Sequence, residues 1–264
     1  MKTQRLFLLI MVCALSACAT SPMGRSQLIL FPDSEMDQMG VAAYREMQQQ
    51  TPREPTAGVN DYVQCVVEHV VLAMPDGRMA DWEVTVFADD QANAFALPGG
   101  KIGVYTGLLD VAENQDQLAT VIAHEVAHVL ARHSNERVST TYATQTGLQV
   151  VQIAGGTSSP ARNQLYGLLG LGAQVGVLLP FSRAQESEAD LMGLDLMAEA
   201  GFDPRESVRL WENMAESGGA RPPEFLSTHP SGETRMRDLN ERMRRAMDLS
   251  LQARSAGRNP DCRR

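Results

Sequence analysis

Ala119-Thr120-Val121-Ile122-Ala123-His124-Glu125-Val126-Ala127-His128-Val129-Leu130-Ala131-Arg132-His133 is the stretch from which the rest of this 264-residue chain can be read. Residues four apart on a helix share a face, so His124 and His128 can reach one point, with Glu125 beside them. Two imidazoles and a carboxylate in this H-E-x-x-H pattern suit a bound metal ion and a base that takes a proton from water. Leu118, Val121, Ile122, Val126, Val129 and Leu130 make the helix apolar almost all round, which predicts burial. Buried His and Glu side chains need partners, so other segments must supply them.

Composition narrows the class. The chain is long enough for one sizeable core or two small domains. Apolar residues make up 44% and aromatics only 5%, with Met, Ala and Gly plentiful, so a helix-rich core is expected. A formal charge of −9 argues against a nucleic-acid partner, because phosphate binding leans on Lys and Arg. The start, with Lys2 and Arg5 ahead of an apolar run from Leu6 to Leu15, reads as an export signal too short to span a membrane comfortably. Leu15-Ser16-Ala17-Cys18 resembles a bacterial lipobox, in which Cys18 becomes the lipidated first residue. Ala19 in place of Asp then points to the outer membrane, facing the periplasm. In an oxidising compartment Cys65 and Cys262 are expected to form a disulfide that ties an early helix to the C-terminal tail.

The expected organisation is a signal peptide over 1–17, a lipidated tether over 18–33, one catalytic domain over 34–250 and a tail over 251–264. Ser34 is a candidate cap for a helix reaching Gln50. After a Pro- and Gly-containing linker, Val63, Val66, Val67, Val70 and Val71 form a helical stripe that stops at Pro75-Asp76-Gly77. A β region follows: Trp82–Val86, Asn93–Leu97 and Lys101–Tyr105, with Pro98-Gly99-Gly100 as a turn. Asn114 or Asp116 is placed to cap the H-E-x-x-H helix. Leu165–Phe181 is nearly uncharged and reads as buried or cleft-lining helix rather than a membrane span. Ser182 caps a helix ended by Gly201, Asp203-Pro204 starts another, and a loop over Gly218–Ser231 leads to a charged last helix. The fold class expected is α+β, mainly α, with a small sheet whose edge strand lies by the active site.

A catalytic zinc needs three protein ligands and an open position for water. His133 lies nine residues after His124, about 180° around a continuous helix, and is expected to face away as a surface or capping group. Glu186-Ser187-Glu188-Ala189-Asp190 is the better source. Glu186 and Asp190 share a face while Glu188 points elsewhere. One of the two can ligate the metal as the other accepts a hydrogen bond from a ligand His and fixes its tautomer.

The order H-E-x-x-H, E-x-E-A-D, then Thr228-His229-Pro230 with Arg235 six residues after the His, resembles the HtpX/CAAX-prenyl-protease family of zinc metallopeptidases. The likeness is nearest to the periplasmic LoiP- and BepA-like members of this gluzincin group. Ala94–Gly100 and Thr106–Leu109 resemble the family's strand segment, and the likeness runs over roughly residues 34–250. Two departures are evident: no C-terminal tetratricopeptide array, and no clear transmembrane helices, which argues against prenyl-cysteine processing. The resemblance implies one Zn2+ per chain held by His124, His128 and Glu186, with Glu125 as general base and Asp190 orienting a ligand. It places His229 and Arg235 in a C-terminal active-site motif, where the His either approaches zinc and holds the enzyme latent or stabilises the transition state.

Peptide-bond hydrolysis is the expected chemistry, with His229 or Arg235 at the developing oxyanion. The strand near Lys101–Tyr105 is the expected edge on which an extended substrate pairs. The expected substrates are unfolded or misassembled envelope proteins, handled by a protease anchored to the membrane through its N-terminal lipid. The alternative is a chaperone or assembly factor for outer-membrane proteins with latent protease activity.

Overall fold

A computed structural model describes residues 18–74, 81–154, 181–217, 224–229 and 233–264. The leader over 1–17, the Pro75-Asp76-Gly77 stop and all of Leu165–Phe181 except Phe181 lie outside the described residues. The architecture is α+β and mainly helical. Cys18–Thr20 (β1) and Ser26–Leu28 (β2) pair as an antiparallel hairpin, so part of the segment read as a tether is folded onto the domain.

Helix α1 (Asp33–Gln50) follows Pro32 and carries Asp33 and Glu35 in its first turn, where carboxylates suit the helix dipole. It buries Met36, Gly40, Ala43 and Tyr44, one side of the helix. Gly40 sits against the Pro98 carbonyl, where a Cβ would come within 2.1 Å of the oxygen. Helix α2 (Ala57–Ala73) turns the valine stripe inward. Val63, Val66, Val67, Val70 and Val71 are all fully buried, each stabilising the fold by roughly 1.5–3 kcal/mol relative to exposure.

The second sheet is β3 (Glu83–Phe87), β4 (Ala94–Leu97) and β5 (Lys101–Tyr105), in the order β3-β5-β4. Strand β5 pairs parallel with β3 and antiparallel with β4, so Lys101–Tyr105 is the central strand and not the edge expected from sequence. Three strand-like stretches in sequence do not reveal their lateral order. The burial of Ile102, Gly103, Val104 and Tyr105 together is the mark of a middle strand. Gly99 and Gly100, at φ 80° and 68°, make the turn that folds β4 back onto β5. Phe95 lies across from Gly103, and its ring occupies the space a Cβ there would need.

After the short α3 (Leu108–Val111), Asn114 caps α4 (Gln115–Leu130), accepting from the Asp116 and Gln117 amides. Every residue of α4 from Gln117 to His128 is buried, as its all-round apolar sequence requires. Around it pack α2, β4, α6 (Arg183–Glu199) and α7 (Glu206–Ser217). A capping box between Ser182 and Gln185 starts α6, and Gly201 at φ 96° ends it. The last helices are α8 (Glu224–Thr228) and α9 (Glu233–Ser255), the latter packed along α6. A disulfide joins Cys65 of α2 to Cys262 in the tail. Among the described residues no helix is long and apolar enough to cross a membrane.

Between α4 and α5 (His133–Ala154) the chain breaks direction. Arg132 adopts a left-handed φ of 56°, and α5 starts at the next residue. The expectation that His133 continues the α4 spiral therefore fails. The residue is fully buried and lies against His128 rather than at the surface. Ala and Arg are both good helix formers, so residue type alone did not signal a break at Ala131-Arg132.

Candidate active site

Helices α4 and α6 carry most of the site and approach each other at Gly193. A Cβ there would come within 2.9 Å of the His124 amide nitrogen. That closeness brings His124 and His128 of α4 to Glu186 of α6, and His229, just after α8, completes the cluster. His124 Nε2 is 3.1 Å from His128 Nε2 and 3.2 Å from His229 Nδ1. Glu186 Oε1 is 3.0 Å from His229 Nδ1 and 3.5 Å from His128 Nε2, and Glu186 Oε2 is 3.5 Å from His124 Nε2. Donor atoms about 2.0–2.1 Å from one tetrahedral ion lie roughly 3.3 Å from each other, and the observed spacings bracket that value. All four residues are buried.

The donor chemistry fits a metal. Two imidazole Nε2 atoms facing each other at 3.1 Å place lone pair against lone pair unless a cation or a proton lies between them. Glu186 Oε2 and Glu125 Oε1 are buried without an aligned hydrogen bond; their neighbours are ionic contacts, Arg235 NH1 at 2.9 Å and His229 Nε2 at 3.3 Å, so each oxygen keeps acceptor capacity for a cation. In the metal-free chain burial works to lower His124, but Asp190 and Glu186 overcome it and raise its pKa to about 9. Burial dominates at His128 and pushes it well below its ordinary value. For Glu186 burial acts upward, yet the three histidines together hold the carboxylate far below its usual range.

Glu125 stands beside this cluster. Its Oε2 accepts from the Ala96 amide of β4 at 3.3 Å, and its Oε1 lies 3.3 Å from His229 Nε2. Burial raises its pKa against the opposing pull of His229 and His124. Asp190 Oδ1 lies 3.0 Å from His124 Nδ1, without full hydrogen-bond alignment. Arg235 grips Asp190 through Nε and NH2 at 2.5 and 2.7 Å, and its NH1 reaches Glu186 Oε2 at 2.9 Å and the His229 carbonyl at 3.3 Å. Its guanidinium also lies 4.2 Å from the centre of the Trp211 ring. Phe181 stacks on His128 and Phe225 on His229, giving the cluster apolar walls.

The structure thus brings together Glu125, His124, His128, Glu186, Asp190, His229 and Arg235. It also recruits residues that sequence reasoning set aside. His133 Nδ1 is 2.8 Å from His128 Nδ1, and His133 Nε2 is 3.1 Å from Glu188 Oε2. Glu188 does point away from the face of Glu186 and Asp190, as expected, but it is buried against His133 and Arg25 rather than solvated. Burial acts to raise its pKa, but hydrogen bonds from Ser21, His133, the Met23 amide and Arg25 outweigh it and hold the carboxylate low. The sequence signal was available: Glu188 sits in a helix whose Leu194, Leu196 and Met197 are apolar, so a charged neighbour there needs a partner.

Comparison with known proteins agrees with this arrangement. The chain is 40% identical over 184 residues to the mitochondrial metalloendopeptidase OMA1 of Schizosaccharomyces pombe, covering 68% of this chain and 52% of that protein. It is 29% identical over 217 residues to the beta-barrel assembly-enhancing protease of Yersinia pestis, covering 80% and 44%. The corresponding Escherichia coli K12 protein is 30% identical over 172 residues, covering 62% and 35%. The chain therefore spans about half the length, or less, of these relatives.

One expectation is overturned here. By sequence alone the leader and Cys18 point to a bacterial outer-membrane lipoprotein facing the periplasm. Fungal, plant and bovine relatives at 33–40% identity are mitochondrial proteins by name. A charged start, an apolar run and four lipobox-like residues form a short pattern read by targeting machinery, and they do not fix a compartment by physical chemistry. The outer-membrane address is withdrawn. The Peptidase family M48 model matches residues 58–243, which include α4, α6, His229 and Arg235, and the chain belongs to that family.

Proposed function

We propose that this chain is a zinc-dependent endopeptidase acting on unfolded or misassembled proteins at a membrane. The observation that carries the reading is the convergence of His124, His128 and Glu186 at metal-ligand spacing, with Glu125 beside them and a sheet edge alongside. His124, His128 and Glu186 would hold the ion. A bound Zn2+ supplies Lewis-acid polarisation of the scissile carbonyl and brings the pKa of a water near 7. Glu125 takes the proton of the attacking water and delivers it to the leaving amine. Burial, which raises its pKa, makes it a stronger proton acceptor than a solvated carboxylate.

The substrate's place follows from β4. Ala94 and Ala96 turn their backbone groups away from β5, as the Ala96 amide's bond to Glu125 shows. An extended peptide pairing with that edge lies across Glu125, and such pairing reads backbone rather than side chains. Chains without fixed structure are then accepted over folded ones. The short apolar leader, with Cys18 as candidate point of lipid attachment, supports action at a membrane.

Arg235 spends its donors on Asp190, Glu186 and the His229 carbonyl, so its proposed role is to clamp the ligand set, with Asp190 orienting His124. His229 is a different case. Its Nδ1 lies within the metal-donor cluster and its Nε2 is 3.3 Å from Glu125 Oε1, so it can serve as a fourth donor where a catalytic site keeps an open position. That observation favours a resting, latent form, and it keeps alive a second reading in which binding of unfolded proteins dominates and cleavage is secondary. Cleavage of an unfolded protein by the purified chain, compared with Glu125→Gln, separates the two. Zinc-dependent cutting lost in the variant supports the protease, and binding without cutting in both supports the chaperone.

A further inference from the structure

The two candidate histidine ligands turn Nε2 to the metal position, and each has Nδ1 left to be fixed. For His124 the facing group is Asp190. For His128 it is His133, and from there a continuous chain of polar contacts leaves the site. His128 Nδ1 meets His133 Nδ1 at 2.8 Å, and His133 Nε2 meets Glu188 Oε2 at 3.1 Å. Glu188 accepts from Arg25 Nε at 3.0 Å and from the Met23 amide at 3.2 Å. Arg25 then grips Glu136 of α5 through NH1 and NH2 at 2.5 and 2.6 Å. The same hairpin reaches the end of α4, where Gln27 Nε2 donates to the Ala131 carbonyl at 2.6 Å.

We infer that the N-terminal β1–β2 hairpin is a working part of the metal site: through Arg25, Glu188 and His133 it fixes the ring plane and tautomer of His128. If His128 ligates through Nε2 it carries its proton on Nδ1, which donates to His133 Nδ1. His133 then holds its proton on Nε2 and donates to Glu188. Glu188, an acceptor only, takes that bond together with those from Arg25 and Met23. Every donor in the chain finds an acceptor under this one assignment, and no group is left over. A carboxylate two bonds removed thus does for His128 what Asp190 does directly for His124. His133, Glu188 and Arg25 are positioning residues and touch neither ion nor substrate.

The inference rests on His128 being a metal ligand, and the experiment keeps the two claims apart. Zinc affinity of the purified chain is measured by competition with a chromophoric chelator, together with the melting temperature of the metal-free protein. Arg25→Ala, on the surface hairpin, is expected to weaken zinc binding about tenfold, and His133→Leu by about ten- to a hundredfold, the usual cost of losing a ligand's hydrogen-bond partner. His133→Gln, whose side-chain carbonyl can still accept from His128, is expected to recover most of the loss. Arg25→Ala combined with Glu188→Gln is expected to weaken binding no more than the stronger single change, because both cut one chain. The Co2+-loaded protein is expected to show a shifted visible spectrum in His133→Leu. Wild-type zinc affinity and spectrum in His133→Leu and Arg25→Ala, with only the metal-free melting temperature lowered, would overturn the inference and leave a purely structural hairpin. Losses that multiply in the double variant would also overturn it. Failure of the metal-site reading itself looks different, since the unaltered chain would then bind no stoichiometric zinc.

Discussion

Gly193→Ala tests how closely the two ligand-bearing helices must approach. The added Cβ would lie 2.9 Å from the His124 amide nitrogen and 3.0 Å from its Cα, about 0.5 Å inside the 3.4 Å at which ordinary contact begins. Those atoms are helix backbone and cannot rotate aside, so α6 must move off α4 by about that amount. Alanine gains roughly 1 kcal/mol over glycine in a helix interior, while overpacking costs roughly 1–3 kcal/mol. The net loss of stability is therefore small, about 0–2 kcal/mol. The site is less forgiving, because catalytic and metal constellations tolerate displacements of only about 0.5 Å. His124 and His128 lie on one helix and Glu186 on the other, so the shift falls directly on the ligand spacing. Zinc affinity is expected to fall at least tenfold, about 1.4 kcal/mol, with the fold intact by circular dichroism. Gly58→Ala, where nothing lies within 4 Å of the new Cβ, is the control and should bind as wild type. Zinc affinity within twofold of wild type in Gly193→Ala would refute the reasoning and show that the helices can part without cost to the site.

Three further outcomes follow from the same geometry. Cys262→Ser opens a link between residues 197 apart in sequence, for which chain entropy sets a ceiling of roughly 5 kcal/mol. Its melting temperature should be lower and indifferent to added reductant, whereas the wild type should fall toward it when reduced. Burial acts to raise Glu136, but hydrogen bonds from Arg25 and Gln185 hold it below its ordinary 4.5. Its contribution is thus full above pH about 4.5 and is lost as pH falls through that value toward the folded one. Denaturant midpoints from pH about 6 to 3 should drop less steeply in Glu136→Gln than in wild type. His229→Ala should speed cleavage of an unfolded substrate severalfold by clearing the position beside Glu125, and a slower variant would make His229 a stabiliser of the transition state instead.

What the sequence disclosed, and what it hid, divides along physical lines. Helical periodicity marked α1 and α2, and periodicity with side-chain caps at Asn114 and Ser182 marked α4 and α6, because a stripe such as Val63, Val66, Val67, Val70 and Val71 has one economical way to be buried; Ser34 does not cap α1 but lies within it, after Pro32 at the cap position. The H-E-x-x-H spacing and the Glu186–Asp190 pair were legible for the same reason, each being a statement about one helix face. Lateral order in the sheet was not, since Lys101–Tyr105 and Ala94–Leu97 both read as strands and only tertiary packing puts β5 in the middle. His133 was misjudged because a rotation of 100° per residue holds only while the helix continues, and the left-handed Arg132 ends it. Glu188 and Arg25 were passed over because their meaning lies in a contact across 163 residues of sequence. The compartment depended on a short leader that no folding principle constrains, and there the relatives corrected it.

The most direct test of the metal site is one paired experiment: bound zinc and cleavage of an unfolded protein, measured on the purified chain and on Glu125→Gln. The site described here predicts about one zinc per chain in both proteins, since Glu125 lies outside the three-ligand set. Cutting is expected in the wild type alone, abolished by chelation and restored by Zn2+. Absence of stoichiometric zinc from both, or cutting that survives in Glu125→Gln, would contradict the account.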